Sequence, residues 1–245
     1  MALVSRLDFR LHNIRAVTID LDDTLWEIGP VIRRAEADLW AWLGENCPRI
    51  ADRWNASDLA ALRLSVFDEF PDRAHDFRFL RKTVIKRVAI DAGYADAVAD
   101  PAFEVFDAAR NNVELFPEVL AELRWLTSNY VLLAITNGNA NLQTIGIADM
   151  FDDIISSVGV GVAKPGRQIF DAAIQRAGVA PAEILHVGDH AETDIEGARN
   201  AGMRTVWVNR KSADWPEHLD APDATVEDIS GVRVLLVASA AAGKG

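Results

Sequence analysis

The sequence predicts a Rossmann-like, doubly wound parallel α/β sheet with an inserted all-helical module, and three observations carry that prediction. Beyond Phe116-Pro117 the chain alternates strictly: helix near 118–128, strand Tyr130–Ile135, helix near 140–147, strand Ile154–Ser157, helix near 166–177, strand Ile184–Val187, helix near 194–201, strand Thr205–Val208. Repeated units of this kind close right-handed crossovers and lay their strands parallel. Ala16–Asp20 (AVTID) is one further apolar run stopped by acids, as in a strand buried on both faces. Between about Pro30 and Asn112 no strand pattern appears, and apolar residues recur at helical spacing in four stretches, 31–44, 58–70, 76–92 and 101–111.

The first strand thus belongs with the C-terminal half. Residues 1–26 and 113–245 are expected to form the α/β core and 27–112 a separate helical domain, with hinges at Trp26–Gly29 and Val113–Pro117. The last residues, ASAAAGKG, are small and polar enough to fray.

Composition limits the functional classes. The chain has 245 residues, half of them hydrophobic, with seven Trp, which is globular and too apolar for disorder. Twenty-five Lys and Arg against 37 Asp and Glu give a net charge of −12, which argues against a broad surface for nucleic acid. Cys47 is the single cysteine and reads as a small semi-buried hydrophobe, so no disulfide or Cys-rich metal site is expected. The start, MALVSRLDFRLHNIRA, lacks an apolar stretch of signal-peptide length, and no segment approaches a membrane span of about 20 apolar residues. The expected setting is soluble, reducing and cytoplasmic, with no membrane or nucleic acid partner and a monomer or homodimer.

Four pieces carry chemistry. Asp20, Asp22 and Thr24 follow the first strand in AVTIDLDDTLW, where open α/β sheets place ligands. In near-extended chain, carboxylates two residues apart project to one side about 7 Å apart, room for a tetrahedral phosphoryl group. One acid can then attack while the other serves the leaving group. VLLAITNGN ends a strand in Thr136 and Asn137 before Gly138, the hydroxyl, amide and relaxed backbone of an anion cradle. Lys164 stands at a loop-to-helix junction in VAKPG, and ILHVGDHAETD pairs Gly188-Asp189 with Asp194 five residues on. Hard oxygens at neighbouring strand ends suit Mg²⁺. A phosphate dianion at such acids meets about 4 kcal/mol of repulsion per unit charge pair at 4 Å and an effective dielectric of 20, so the site must import positive charge. Mg²⁺ and Lys164 supply it.

The ordered set Asp20-Leu21-Asp22-Asp23-Thr24, Thr136, Lys164 and Gly188-Asp189 with Asp194 resembles the four motifs of the haloacid dehalogenase superfamily, and the helical insertion resembles its C1 cap. The resemblance covers nearly the whole chain. It implies a nucleophilic Asp20 that forms an aspartyl-phosphate and an Asp22 that protonates the leaving oxygen and then activates water. It further implies Thr136 and Lys164 as phosphate ligands, to which the cradle reading adds Asn137, with Mg²⁺ held by Asp20, the Asp22 carbonyl, Asp189 and Asp194, the last directly or through water. DLDDTLW, AITNGN, EILHVGD and the cap segment HDFRFLR are similar to the bacterial flavin mononucleotide phosphatases of this superfamily. Members of that group also dephosphorylate the phosphoribitylamino-pyrimidine of riboflavin synthesis. The implied substrate is a small phosphorylated metabolite.

Substrate choice is expected of the cap. Arg78, Arg81, Lys82, Lys86 and Arg87 fall within ten residues without an intervening acid, either as a solvated face or with Arg78 or Arg81 on the cleft. Trp26 could stack on a flat leaving group or simply pack at the hinge, whereas Trp40 and Trp42 read as cap core or interface. His186 and His190 lie close enough to be second to the site's own ligands. The rivals are metal-free dehalogenation of haloacids, another phosphatase acting on sugar phosphates, phosphoglycolate or nucleotides, and a phospho-accepting signalling module. Dehalogenases of the superfamily lack the acid that Asp22 supplies, and receiver modules place their lysine after both acid sets, whereas Lys164 precedes Asp189.

Overall fold

The computed structural model of this protein describes residues 11 and 13–242; most of the leader read from the sequence lies outside them. Two compact units are present. One comprises the described residues up to Glu27, Glu114–Asn137 and those from Gly146 on, and the other Ile28–Val113 with Gly138–Ile145. The sequence pattern had kept 138–145 with the α/β part. It packs instead with the helices because the Asn139 amide donates to Asp107 Oδ1 at 3.2 Å and the Asn141 N–H to Asn111 Oδ1 at 2.7 Å.

The α/β unit is built on six strands: β1 (Ala16–Ile19), β2 (Val131–Thr136), β3 (Asp153–Ser156), β4 (Ile184–Gly188), β5 (Arg204–Val208) and β6 (Ala224–Val226). Every pairing is parallel and the order is β3-β2-β1-β4-β5-β6. The connection reverses between β1 and β4, the place where doubly wound sheets open a crevice at the carboxyl ends of their strands. β1 and β4 are buried along their whole length, as continuous apolar runs require. On one side Leu133, Ile135, Ile169, Phe170 and Ile184 form a single cluster beneath the helix Arg167–Ala177.

The chain's end departs from expectation. β6 was not foreseen, and residues 238–242 of the tail read as fraying continue a helix, Ser230–Ala242, with Ser239 buried, while 243–245 lie outside the described residues. Three residues make too short a strand for an alternation signal, while an alanine-rich tail with Val232 and Leu236 on its buried face favours helix. The helix expected near 140–147 is one turn, Leu142–Ile145.

The other unit is all-helical: α1 (Ile28–Asn46), α2 (Pro48–Arg53), α3 (Ala56–Glu69), α4 (Phe77–Asp91) and α5 (Ala99–Arg110). Asn55 and Asp76 cap α3 and α4 by accepting from first-turn N–H groups. Its core joins Leu39, Leu43, Ile50, Val84, Val88, Phe103 and Phe106, with Trp40 and Trp42 packed against it. Cys47 is buried in the same core. Among the described residues no helix is long and apolar enough to cross a membrane.

Phe170 is fully buried, lies edge-on to the His186 ring at 5.4 Å, and sits where only Gly197 leaves room for it. Phe170→Ala should cost the α/β unit about 3–5 kcal/mol in urea unfolding. A loss below about 1 kcal/mol would mean that the site collapses around the vacancy.

Candidate active site

β1 ends at Ile19, and Asp20 continues it by donating its N–H to Val187 O on β4 at 2.8 Å. Its carboxylate is thereby held at the point of reversal, almost wholly buried. Lys164, also buried, reaches it from the far side of β2. The ammonium bonds Asp20 Oδ1 in a short contact, Asp194 Oδ1 at 2.6 Å and Ile135 O at 3.0 Å. One cation therefore serves two carboxylates. Oxygens of Asp20, Asp189 and Asp194 all lie within 4.8 Å of one another.

The shifts follow from this sharing. Burial raises Asp20 well above the usual carboxylate range, reinforced by the charges of Asp194 and Asp189. Burial also opposes charge on Asp194, but Lys164 and His186 outweigh it and hold Asp194 low. Lys164 resists the same burial because Asp194 and Asp20 keep it protonated, well above a free lysine. Asp189 is pushed up to about 7 by burial, then by Asp194 and Asp23. With all three acids ionised against one ammonium, the cluster would be short by two positive charges, the charge of one divalent cation. The donor set fits a hard cation: carboxylate oxygens only, spread little wider than the about 4.2 Å across a Mg²⁺ octahedron.

Neighbouring groups aim these side chains. The register of β1 and β4 sets Thr18 beside His186. The His186 ring, kept neutral by burial, accepts the Thr18 hydroxyl at Nδ1 (2.8 Å) and faces Asp194 Oδ1 with Nε2 at 3.4 Å. The His190 N–H donates to the other Asp194 oxygen at 3.0 Å. Asp194 was expected at a helix start; it lies within a π-helical turn, Ala191–Glu196, buried, with both oxygens engaged. Gly188 allows that approach, since a Cβ there would stand 2.5 Å from the Asp194 carboxyl carbon.

Asn137 departs from its expected part as a phosphate ligand. Its Oδ1 accepts the Lys164 N–H at 2.7 Å and its Nδ2 donates to Lys164 O at 3.0 Å, so both ends of the amide grip the Lys164 backbone. Thr136 ends β2, buried and level with Ser156. Asp22 stays out of the acid cluster: its Oδ1 accepts the Trp26 indole N–H at 2.8 Å. Asp23 takes φ 61°, a left-handed turn that Asp tolerates, and its N–H donates to Trp26 O. Trp26 is itself fully buried, so the ring offered to a flat leaving group packs the loop and orients Asp22.

The helical unit's candidates are similarly engaged. Arg78 pairs with Glu104 (3.6 Å) and Asp107 (4.0 Å) above the Phe103 ring. Arg81 pairs with Glu36 at 2.8 Å and lies 3.6 Å over Phe106. Lys82 pairs with Asp100, and Arg87 with Glu69. The basic run thus ties α4 to acids on α1, α3 and α5.

Two residues escaped sequence reading. Trp207, beside Gly188 in the β4–β5 register, donates its indole N–H to Asp189 O at 2.7 Å. Arg210 donates to Thr24 O at 2.9 Å, pairs with Glu118 and covers the Phe116 ring at 3.7 Å. A cation at a strand end of an acidic chain was the available signal for Arg210; Trp207 had none.

Residues 14–202 match the profile of the haloacid dehalogenase-like hydrolases. The chain is 33% identical over 215 residues to the 5-amino-6-(5-phospho-D-ribitylamino)uracil phosphatase YigB of Escherichia coli K12, covering 86% of this chain and 90% of that one. It is 37% identical over 161 residues to a phosphoserine phosphatase of Thermus thermophilus, 62% of this chain and 63% of the relative. A solved 2-haloacid dehalogenase from Pseudomonas syringae pv. Tomato DC3000 superposes with a TM-score of 0.86 at 39% identity, over 91% of this chain and 98% of the other.

A folded-state Asp189 near 7 holds a proton that an unfolded chain, titrating near 3.9, gives up. With a chelator present, the Asp189 contribution to stability is full below about pH 4 and falls as pH rises to about 7, at up to about 1.4 kcal/mol per pH unit; raised Asp20 acts in the same sense and neutral His186 in the opposite one, so the contribution is read as the difference between the unmodified protein and Asp189→Asn. Urea unfolding in EDTA at several pH values reads this, and a divalent cation should reverse the loss. A pH-independent difference between the two proteins would mean that Asp189 titrates as an ordinary carboxylate.

Proposed function

Because this chain belongs to the haloacid dehalogenase-like hydrolases, we propose that it is a Mg²⁺-dependent cytoplasmic phosphomonoesterase acting through an aspartyl-phosphate. The observation that carries the reading is the acid trio Asp20, Asp189 and Asp194 around a single ammonium. Asp20 and Asp189, with the Asp22 carbonyl, would hold Mg²⁺, and Asp194 would act through water, since its oxygens already serve Lys164, His186 and His190. When bound, the cation screens the acids from the phosphate and draws charge from its oxygens.

The chain's residues supply the remaining steps. A carboxylate oxygen of Asp20 attacks phosphorus as the ester oxygen leaves, and Asp22 gives that oxygen its proton. Lys164 and Thr136 take the phosphoryl oxygens. Asp22, now a carboxylate held by the Trp26 indole, draws a proton from water. The hydroxide so formed attacks phosphorus, freeing orthophosphate and restoring Asp20. Asn137 contributes by fixing Lys164.

The substrate reading is a phosphoribitylamino-pyrimidine or flavin mononucleotide, supported by the likeness to YigB over most of both chains. The second reading, dehalogenation, is favoured by the 39% identity to the Pseudomonas syringae structure. Attack on carbon needs no divalent cation, and it leaves the charge deficit of the trio without a purpose.

Turnover of phosphate esters should vanish on chelation and return with Mg²⁺. Asp20→Asn should abolish it, a loss of roughly 10⁴-fold or more as for removal of a nucleophile. A phosphoryl label trapped at steady state should map to Asp20. Halide release from 2-haloacids without phosphatase activity, or a label on Asp22 or Asp189, would overturn the assignment.

A further inference from the structure

Asp20 and Asp189 each stand one residue past the paired part of their strand, and they are held there by different means. Asp20 keeps a ladder bond, its N–H to Val187 O at 2.8 Å, and the Lys164 ammonium. Asp189, by contrast, bonds no ammonium among the described residues. Its carbonyl is taken by a side chain of the neighbouring strand, the Trp207 indole N–H at 2.7 Å. We propose that Trp207 and Arg210, at the end of β5 and just after it, are positioning residues that hold the two acid-bearing loops at the spacing a divalent cation needs. This rests on the Mg²⁺-dependent reading above and adds to it the groups that aim its ligands.

The need for such a grip is electrostatic. Two like charges 4 Å apart at an effective dielectric of 20 repel by about 4 kcal/mol, so an ionised Asp20 and Asp189 tend to spread until a cation arrives. Their oxygens nevertheless lie within 4.8 Å of each other.

Trp207 opposes the spreading from the Asp189 side. It is in register with Gly188 and buried, and its ring meets Trp215 edge-on at 5.0 Å. The Trp215 indole N–H donates in turn to Leu219 O at 3.1 Å. Packing of the sheet would ask only for a large apolar group at this place, whereas an indole N–H donates in one direction and so fixes one orientation of the Asp189 peptide.

Arg210 acts on the other loop. Its guanidinium donates to Thr24 O at 2.9 Å and is itself fixed by Glu118 and by the Phe116 ring, 3.7 Å away. The fully buried Thr24 hydroxyl stands 3.4 Å from Asp20 Oδ2 and 3.5 Å from Asp189 Oδ1, so the two loops meet at this residue. Carboxylates fixed in advance lose less on taking up a cation.

Trp207→Phe keeps a ring beside Trp215 and removes the donor. Calorimetric titration of Mg²⁺ into the full chain at neutral pH should show a Kd raised roughly 5-fold or more in this variant. Arg210→Gln reads the same grip from the first loop, also where the Phe variant misfolds, and should raise the Kd roughly 3-fold or more. Trp215→Phe deletes a like N–H aimed at Leu219 O and should leave the Kd unchanged. In Trp207→Phe, acetyl phosphate turnover lost at low Mg²⁺ should return at saturating Mg²⁺ with KM for the ester unaltered, a split that lost packing alone does not produce. With the unmodified protein binding Mg²⁺ and hydrolysing the ester, an unchanged Kd in either variant, an equal loss in Trp215→Phe, or turnover that added Mg²⁺ does not restore would overturn the proposal alone. Absence of both Mg²⁺ binding and hydrolysis in the unmodified protein would overturn the phosphatase reading and the proposal with it.

Discussion

Lys164 is one ammonium shared by two buried carboxylates, and the arrangement of the α/β unit's upper edge depends on keeping it there. A buried charge is tolerated only when paired and fully hydrogen-bonded. Lys164 meets that condition with Asp20, Asp194 and the Ile135 carbonyl, while Asn137 fixes its backbone. The same condition passes to Asp194, which His186 and the His190 N–H complete, and from His186 to Thr18 within the sheet. A chain of donors and acceptors thus runs from the middle of β1 back to the acid that ends it. Asp189 has no ammonium of its own; burial, then Asp194 and Asp23, raises its proton affinity, and it stands with Asp20 and Asp194 where a metal would fit.

Much of this was legible in the sequence, because a parallel sheet writes itself as apolar runs and its chemistry collects where those runs stop. Asp20, Thr136 and Asp189 end such runs, and the fold class and family follow from them. What escaped was set by tertiary register. Nothing local marks Trp207 as the partner of the Asp189 carbonyl until β5 is laid beside β4. Asn137 looked like an anion ligand because its amide is chemically suited to one; only the return of the chain at Lys164 reveals a different use. The basic run of α4 was ambiguous by nature, since periodicity shows which residues share a face but not which acids oppose them.

On the proposed reading, the acid trio and Lys164 would serve a phosphoryl group and its counter-ion and would be indifferent to what leaves. In the helical unit the arginines of α4 staple four helices around a phenylalanine core, a use that an acidic chain can readily supply with partners. The end of β5 and the loop after it are differently placed: Arg210 holds the first acid-bearing loop at Thr24 O and Trp207 the fourth at Asp189 O.

The central claim is that the trio's missing charge is supplied by one divalent cation. Calorimetric titration of Mg²⁺ at neutral pH, repeated in buffers of different ionisation enthalpy, measures both stoichiometry and the protons released. The account predicts one Mg²⁺ per chain, with proton release on binding as Asp189 and its neighbours ionise, and loss of that binding in an Asp20→Asn, Asp189→Asn double variant. Binding that survives the double variant, or no binding to the intact protein, would contradict it.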